Sequence, residues 1–548
     1  MSPKFVILAV LDGWGISAPS AGNAISLANT VNIDRFTASY PHTQLQAAGD
    51  SVGLPRGEAG NTETGHLNLG AGRIVYQDLM RINMSIADGA FFENQTIKGA
   101  IEHAIKNNSK LHLMGLVGAG GVHSNLEHLF ALIQFCNRNN FKNVFLHLFT
   151  DGRDSPPTAA KIYIEKIKEV CKRENVGTIA SIMGRYWAMD RDHRWDRTAK
   201  AYFALTKGEG NLVKTTEEAI DSSYENGKTD EFIEPSLLCD STGNPVATIK
   251  DNDAVVFFNF RIDRPRQLSR AFVYSDLNKV DVKKSFDPFL VKYEKKHLEE
   301  QNTETITFDR PNKLNNLYFA TMTQYEKPLV EEGAKVIFSP ETVDMPLGRV
   351  ISENGFKQLR ASESEKERFV TFYFNGQQEI PMEQEDRLIV PSPKIATYDL
   401  KPEMSSIELT DSILSKIKSE DYKFVLVNYA APDMVGHTGN IGSAVKACQT
   451  VDECVARLAN FCLAYGGALF ITADHGNVEQ MINEQSGQSE TEHSSNPVPL
   501  IIVYSDYMGK GQTLPSGVLA DVAPTVLGLL GIQIPSQMTG RNLLEGMN

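Results

Sequence analysis

Short apolar runs that end in polar residues constrain the fold of this chain more than any other feature of its sequence. A first set of runs spans residues 5–11, 335–339, 370–374, 424–429, 468–472 and 500–504, and a second set spans residues 111–117, 144–149, 178–183 and 255–260. Helix-like stretches such as residues 159–171 and 443–463 lie between the runs. This alternation predicts α/β domains with mostly parallel sheets, whose ligands bind beyond the carboxyl ends of the strands.

Length and charge narrow the class of protein further. A chain of 548 residues is too long for one ordinary core, so we expect two domains. No apolar run reaches the ~20 residues of a membrane span, and a formal net charge of −14 disfavours nucleic acid or an anionic membrane as a partner. An anionic ligand would therefore need a local cluster of basic residues.

The N-terminus and the cysteines indicate the compartment. Residues 5–11 begin a strand-like run without the longer apolar region of a signal peptide, which predicts a cytoplasmic location. The six cysteines include no Cys-x-x-Cys pair, so we expect neither a disulfide framework nor a thiolate zinc site.

Candidate metal ligands follow three runs of the first set or lie in a polar loop near them. They are Asp12, Asp433, His437, Asp474, His475 and His493. Each residue alone would also suit a turn or a buried core position, but together they predict a site of oxygen and imidazole ligands. Such a site suits Mn²⁺ or Zn²⁺, and two ions about 4 Å apart would clamp the attacking and leaving oxygens of a phosphoryl group.

A hydroxyl between glycines is a candidate nucleophile. Residues 60–68 read GNTETGHLN, with Thr62 in the glycine-flanked segment. Metal coordination would lower the pKa of its hydroxyl and activate it. A threonine that caps a helix has the same local pattern, so the segment alone leaves both interpretations open.

Arginine recurs after the runs of the second set. The segments are DGRD at residues 151–154, GRYWAMDR at residues 184–191 and RIDR at residues 261–264. Isolated arginines are usually surface residues, but repetition at equivalent strand ends predicts a guanidinium cluster that binds carboxylate and phosphate groups. This cluster would be the local basic site that the net charge requires.

Several longer motifs together resemble the cofactor-independent phosphoglycerate mutases, a family of the alkaline-phosphatase superfamily. The motifs are LDGWG, GNTETGHLNLGAGR, DGRD, GRYWAMDRDHRWDR, FFNFRIDR, SPKIATYDLKPEMS, NYAAPDMVGHTG, TADHGN and HSSNPVPLI. The resemblance extends from residue 7 to residue 503. It departs from the family at Thr62, where the family ordinarily has serine.

The resemblance implies a fold and an activity. It implies a three-layer α/β/α metal-binding domain like that of alkaline phosphatase, at residues 1–77 and 315–548. An inserted α/β domain at residues 78–314 would bind phosphoglycerate, and closure about the two crossings would exclude water. The implied enzyme is a monomeric isomerase of glycolysis and gluconeogenesis. It would interconvert 3- and 2-phosphoglycerate through a phospho-enzyme on Thr62, independently of 2,3-bisphosphoglycerate.

The resemblance also implies roles for individual residues. Asp12, Thr62, Asp474 and His475 would hold one divalent ion, and Asp433, His437 and His493 the other; Mn²⁺ is expected, with Zn²⁺, Co²⁺ or Mg²⁺ as alternatives. The implied substrate-binding residues are His123, Arg153, Asp154, Arg185, Arg191, Arg261, Arg264 and Lys366. Lys366 would neutralise phosphoryl charge, and Asp154 would relay a proton between the glycerate oxygens.

Other interpretations remain at this stage. A metal-dependent phosphatase or phosphodiesterase of the same superfamily would share the metal ligands, and phosphopentomutase is a nearer relative. The arginine-rich segments and the length of the GRYWAMDRDHRWDR match favour the glycerate mutase. A catalytically silent binding protein is disfavoured because the metal ligands and Lys366 are retained. The charged stretch at residues 292–313 suggests an exposed insertion or helical linker.

Overall fold

Two compact α/β units make up the chain in the computed structural model, which describes residues 2–277, 307–310, 313–483 and 486–547. The first unit comprises Met1–Gln77 and Glu341–Asn548, and the second comprises Asp78–Pro340. Each unit is built on one mixed sheet, so the two-unit α/β architecture is confirmed. Most of the charged stretch at residues 292–313 lies outside the described residues.

The strands of the described residues fall into two sheets. In chain order they are β1 (Val6–Leu11), β2 (His42–Gln46), β3 (Leu111–Val117), β4 (Val144–Thr150), β5 (Thr178–Gly184), β6 (Asn211–Val213), β7 (Ser236–Leu238), β8 (Ala254–Phe257), β9 (Tyr318–Thr323), β10 (Lys335–Phe338), β11 (Gln358–Glu363), β12 (Glu385–Val390), β13 (Phe424–Tyr429), β14 (Ala468–Thr472), β15 (Val498–Val503) and β16 (Gly517–Val518). The sheet orders are β12-β11-β13-β1-β14-β15-β2-β16 in the first unit and β10-β9-β8-β3-β4-β5-β7-β6 in the second.

The α-helices of the described residues connect these strands. In chain order they are α1 (Ala24–Leu27), α2 (Val31–Ser39), α3 (Thr62–Ala71), α4 (Asp78–Asp88), α5 (Gln95–Asn107), α6 (Leu126–Arg138), α7 (Ala160–Glu174), α8 (Arg185–Ala188), α9 (Trp195–Lys207), α10 (Thr216–Glu225), α11 (Pro265–Val273), α12 (Lys327–Glu331), α13 (Leu347–Glu353), α14 (Ser406–Ser419), α15 (Ala431–Gly436), α16 (Ile441–Tyr465) and α17 (Val522–Leu530). The predicted helices at residues 159–171 and 443–463 are confirmed as α7 and α16. None of the described helices has both the length and the apolar character that crossing a membrane requires.

The centre of the first sheet explains where its polar residues gather. Every residue of β1 is buried, as expected for a strand with both faces covered. β1 lies between β13 and β14 and runs parallel to both. Leu11 pairs with Tyr429, and Val10 pairs with Thr472. The residues that follow these three strands therefore meet at one edge of the sheet.

The second sheet is covered on both faces. Neighbouring residues of its central strands enter different apolar clusters: Leu113 and Val256 belong to one cluster, and Met114 and Phe257 to another. β3, β4, β5 and β8 run parallel, so their carboxyl ends also share an edge. The arginine-bearing segments follow β4, β5 and β8 at that edge.

Two predicted strands and one predicted boundary differ from the structure. The run at residues 370–374 is not a strand but lies in a π-helix at Phe369–Tyr373, because a short, wholly buried apolar run suits a helical segment as well as a strand. The run at residues 335–339 contributes β10 to the second sheet, where it pairs with β9. Since β9 in turn pairs with β8, the chain returns to the first unit after Pro340 and not near residue 315.

A buried histidine of the second unit predicts acid sensitivity. His128 on α6 is buried and its Nε2 contacts Asn83 Oδ1 at 2.8 Å, while burial lowers the pKa of His128 to about 3. Because the unfolded chain binds this proton near its ordinary pKa of 6.5, the stability that neutral His128 contributes is lost as the pH falls below 6.5. The loss between pH 7 and pH 5 should be about 2 kcal/mol.

Urea unfolding at pH 7, 6 and 5 tests this expectation. The His128→Gln variant keeps an amide donor for Asn83 and lacks the titrating ring, so its free energy of unfolding should fall less steeply with acid than that of the wild type. Parallel pH profiles for the two proteins would contradict the assignment.

Candidate active site

The carboxyl end of the first sheet carries a buried carboxylate and histidine cluster. Asp12 directly follows β1, and Asp474 and His475 follow β14; all three side chains are fully buried. His475 Nε2 lies 3.3 Å from Asp12 Oδ1 and 3.7 Å from Asp474 Oδ2. The parallel strands thus bring together residues that are more than 450 positions apart in the chain.

Thr62 enters this cluster at the start of α3. Asn61 caps the helix, since its side chain accepts a hydrogen bond from the Thr64 N–H at 3.0 Å. The helix start packs closely against the loop after β14: a Cβ atom at Gly65 would lie 2.5 Å from Asp474 Cβ. Glycine is therefore required for this approach, which brings the first helical residue, Thr62, to the buried acids.

The Thr62 hydroxyl has three polar neighbours. Lys366 Nζ donates to Thr62 Oγ1 at 3.1 Å, and His475 Nε2 lies 3.0 Å from it. Thr62 Oγ1 is also 3.4 Å from Asp12 Oδ1. The local pattern left a helix-capping role open, but here Asn61 is the cap and the Thr62 side chain points into the cluster.

Lys366, which follows β11, supplies positive charge to the cluster. Its Nζ donates to Asp12 Oδ1 at 2.9 Å and to Asp433 Oδ2 at 2.7 Å. Burial alone would lower the pKa of Lys366, but the neighbouring carboxylates outweigh this effect and hold the pKa above its usual value. Lys366 is therefore a protonated electrostatic group and not a general base.

A second group of potential ligands contains two histidines and Asp433. His437 Nδ1 lies 2.7 Å from the Thr491 carbonyl and His493 Nδ1 lies 2.9 Å from the Gly60 carbonyl, so each ring carries its proton on Nδ1. The two Nε2 atoms lie 3.1 Å apart, and each lies 3.3 Å from Asp433 Oδ1. Three potential ligand atoms thus converge on one point, and carboxylate and imidazole groups in this arrangement suit a divalent cation.

The cluster around His475 also suits a cation. Burial lowers the pKa of His475, but the Asp474 and Asp12 carboxylates outweigh burial and raise this pKa to about 10. Asp474 Oδ2 is buried and lies 3.2 Å from His66 Nδ1. Two groups of three residues each have ligand atoms that all lie within 4.8 Å of one another inside the group; they are Asp12–Asp474–His475 and Asp433–His475–His493. Carboxylate and imidazole donors without thiolate suit divalent metal ions.

Seven of the eight predicted substrate-binding residues, all except Lys366, lie in the second unit, where Arg185 contacts several of them. This side chain is buried at the start of α8, and its Nη1 donates to Asp151 Oδ1 and Asp154 Oδ2, both at 2.5 Å. Its Nη2 donates to His123 Nε2 at 3.0 Å. Burial and then Arg185 lower the pKa of His123 to about 3, so His123 is neutral with its proton on Nδ1.

Asp263 organises the other side of this arginine cluster. Its buried carboxylate accepts hydrogen bonds from Arg191 Nη1 at 2.5 Å and from Arg261 Nε at 3.0 Å. Asp263 Oδ1 also lies 3.6 Å from His123 Nδ1. The carboxylate therefore faces two predicted substrate-binding arginines and the protonated nitrogen of the predicted substrate-binding histidine.

A cavity of about 180 Å³ opens beside the cluster. Its lining residues are Arg153, Arg185, Tyr186, Met189, Asp190, Asp192, Arg197, Glu231, Phe232 and Arg264. Burial and neighbouring guanidinium groups lower the pKa of Arg264 to about 10, which reflects the density of positive charge here. Of the predicted substrate residues, Arg153, Arg185 and Arg264 line this cavity. Four other predicted substrate residues contact Arg185 or Asp263; they are His123, Asp154, Arg191 and Arg261.

Two polar residues of the cluster around Thr62 were not predicted from the sequence. His66, one turn after Thr62, has Nδ1 3.0 Å from the Thr62 carbonyl and 3.2 Å from Asp474 Oδ2. Asn428, within β13, donates from Nδ2 to Asp12 Oδ2 at 2.7 Å. Both lie inside recognised motifs, GHLN and NYAAPD, but their partners are distant in the chain, so only the motifs could have indicated them.

Comparisons with known proteins agree with the geometry. Residues 82–327 match the family model for the BPG-independent PGAM N-terminus. The 2,3-bisphosphoglycerate-independent phosphoglycerate mutases of Clostridium novyi and Clostridium beijerinckii are each 48% identical to this chain, over 100% and 99% of both sequences respectively. The solved Leishmania mexicana phosphoglycerate mutase at low cobalt concentration is 27% identical, with a TM-score of 0.56 over 98% of this chain and 97% of that one.

Proposed function

The chain belongs to the 2,3-bisphosphoglycerate-independent phosphoglycerate mutase family, and we propose that it carries out this reaction through a phospho-enzyme formed on Thr62. It is an isomerase that interconverts 3-phosphoglycerate and 2-phosphoglycerate. The observation that carries the proposal is the position of Thr62 Oγ1, 3.1 Å from Lys366 Nζ and 3.0 Å from His475 Nε2 in a buried cluster.

The first half-reaction forms the phospho-enzyme. Thr62 Oγ1, whose hydroxyl proton has already passed to solvent, forms a bond to phosphorus while the bond from phosphorus to O3 of 3-phosphoglycerate breaks, which leaves phosphothreonine and bound glycerate with a negative charge on O3. In the second half-reaction deprotonated glycerate O2 attacks phosphorus and the bond to Thr62 Oγ1 breaks, which regenerates the deprotonated Thr62 oxygen. The protonated Lys366 stabilises the negative charge on the transferring group, because its ammonium already contacts the nucleophilic oxygen.

Asp154 completes the proton balance. Burial raises the pKa of Asp154, but its hydrogen bond and charge interaction with Arg185 outweigh burial and lower it, so the free carboxylate is ionised. It takes the proton from glycerate O2 and passes it to O3, and the ionised carboxylate is regenerated. His123, Arg153, Arg185, Arg191, Arg261 and Arg264 hold the carboxylate and phosphate of the substrate.

Divalent metal ions complete the nucleophilic cluster in this proposal. Asp12, Thr62, Asp474 and His475 would hold one ion, and Asp433, His437 and His493 the other. The convergent Nε2 atoms of His437 and His493, and the buried Asp12 and Asp474 carboxylates beside His475, support this ligand set. When bound, the ions supply Lewis-acid chemistry that lowers the pKa of the Thr62 hydroxyl. We propose Mn²⁺ as the metal, since oxygen and imidazole ligands without thiolate suit it.

The test of this function is conversion of 3- to 2-phosphoglycerate by the purified protein without 2,3-bisphosphoglycerate. Release of inorganic phosphate is measured in the same reaction. A mutase gives 2-phosphoglycerate with little phosphate, whereas a phosphatase releases phosphate in proportion to the substrate consumed. We also propose that the enzyme is a cytoplasmic monomer, in keeping with a glycolytic step. Light scattering of the purified protein tests the monomer.

Substitution of the arginines that contact or adjoin Asp263 tests the substrate site. Arg261→Ala and Arg264→Ala should each lower kcat/KM roughly 10- to 100-fold, because each removes charge-assisted hydrogen bonds to the substrate. The Mn²⁺ content should not change, since neither arginine is a proposed metal ligand. Arg138→Ala is the control: Arg138 is an exposed residue of the same unit that stacks on Phe92. Wild-type kcat/KM in both variants would show that the second unit has been misassigned.

A further inference from the structure

We propose that Glu479 is a positioning residue that holds the three loops of the metal centre in register. This inference rests on the metal centre proposed above and extends it to a residue outside its ligand set. Glu479 lies in the loop after β14 and is 1% exposed. Among the residues that the structure describes, its carboxylate makes no ion pair within 4.0 Å, so hydrogen bonds alone offset the cost of burying the charge.

Four donors converge on this carboxylate. Oε2 accepts hydrogen bonds from the Gly15 N–H at 3.0 Å and from the Asn477 N–H at 2.8 Å. Oε1 accepts from Asn496 Nδ2 at 3.0 Å and from the Ser494 hydroxyl. A carboxylate has about four lone-pair sites, so this one is fully used by the protein.

Each donor is close in the chain to a proposed metal ligand. Gly15 lies in the loop that begins with Asp12, Asn477 follows His475 by two residues, and Ser494 follows His493. Asn477 also donates from Nδ2 to Asp433 Oδ1 at 3.0 Å. One buried carboxylate therefore connects ligand-bearing segments that are separated by hundreds of residues.

Two glycines make room for the carboxylate. A Cβ atom at Gly15 would lie 2.3 Å from Glu479 Cδ, and one at Gly476 would lie 2.4 Å from Glu479 Oε1. Neither glycine has a backbone conformation that requires glycine, because neither has a positive φ. The loops of the centre are thus built closely around this side chain.

The test compares Mn²⁺ binding by the full-length, metal-stripped protein and its Glu479→Gln variant. An amide keeps the shape of the side chain but turns an N–H₂ group toward donors, so the loops must separate. Titration calorimetry should show Mn²⁺ binding weakened about 10- to 100-fold, the usual effect of losing a group that orients metal ligands. Excess Mn²⁺ should restore part of kcat without changing KM for 3-phosphoglycerate.

Asp452→Asn is the matched control. Asp452 is equally buried in the same unit and accepts hydrogen bonds from the Ile33 N–H at 2.8 Å and from Asn32 Nδ2 at 2.7 Å, on α2 and away from the three loops. It should lose stability but keep wild-type Mn²⁺ affinity. If Glu479→Gln does not fold, Ser494→Ala removes a single donor and should still weaken Mn²⁺ binding.

Three outcomes would overturn the proposal. The first is wild-type Mn²⁺ affinity in a folded Glu479→Gln variant. The second applies if Glu479→Gln does not fold, and it is wild-type Mn²⁺ affinity in Ser494→Ala. The third is Mn²⁺ binding that is weakened as much in Asp452→Asn as in Glu479→Gln. A wild-type protein that binds no Mn²⁺ would instead refute the metal centre, and the role of Glu479 with it.

Discussion

Replacing Thr62 by alanine is expected to reduce mutase turnover by at least about 10⁴-fold, because the substitution removes the atom that receives the phosphoryl group. Lys366, His475 and Asp12 all lie within 3.4 Å of Thr62 Oγ1, and none of them offers a hydroxyl in its place. The measurement is enolase-coupled formation of 2-phosphoglycerate. Thr64→Ala is the control, since the Thr64 hydroxyl donates to the carbonyl and side-chain oxygens of Asn61.

Serine at position 62 should behave differently from alanine. The family ordinarily has serine here, and the extra methyl group of threonine restricts rotation about χ1 and crowds an in-line attack. Thr62→Ser should therefore retain or raise turnover. Peptide mass spectra after brief exposure of the wild type to 3-phosphoglycerate should locate phosphate on Thr62. Substantial turnover in Thr62→Ala, or phosphate only on another residue, would refute this nucleophile.

The position of the cluster around Thr62 could be predicted from the sequence, because each of its polar groups lies close in the chain to the end of a parallel strand. Each apolar run is followed within a few residues by its polar group, and parallel pairing brings the ends together, as between Leu11 and Tyr429. The same reasoning found the arginines after β4, β5 and β8. The residue types predicted a site of carboxylate and imidazole ligands, and the resemblance to the family assigned them to two proposed ions.

The supporting carboxylates could not be predicted in this way. Asp263 lies in the RIDR segment, but its contact with Arg191 joins residues that are 72 positions apart. Glu479 accepts a hydrogen bond from the Gly15 N–H, which is 464 positions away. Residue type alone does not indicate either contact. The requirement for glycine at Gly15 and Gly476 could not be predicted either, because it comes from the volume of the Glu479 side chain. Such contacts depend on the assembled fold.

The strand predicted at residues 370–374 was wrong, and the reason is the burial of this segment. The run at residues 370–374, VTFYF, has the β-branched and aromatic residues typical of a strand, but in the structure its first four residues are buried within a π-helix. A Cβ atom at Gly70 would lie 2.0 Å from the Phe374 carbonyl oxygen, so α3 packs directly on this segment. The helix that begins with Thr62 is thus supported by an element that sequence periodicity assigns to a strand.

Removal of divalent metal is expected to abolish mutase activity, and Mn²⁺ is expected to restore it. The physical reason is the negative charge of the cluster, in which three carboxylates are buried together: Asp12, Asp433 and Asp474. Lys366 forms ion pairs with Asp12 and Asp433. His437 and His493 add two ring nitrogens that face each other at 3.1 Å. Without further positive charge, an anionic phosphoryl group would be repelled from Thr62.

Dialysis against a chelator followed by metal analysis and assay provides the measurement. Activity should fall to background as Mn²⁺ is removed and should recover when Mn²⁺ is added back. His437→Gln should bind less Mn²⁺ and need more for half-maximal activity, because its amide is a weaker ligand than imidazole. His103→Gln, at a partly exposed histidine of the second unit, is the control and should match the wild type. Full activity of protein shown to be free of metal would exclude the metal centre, because Lys366 alone would then suffice to hold the phosphoryl group beside Thr62.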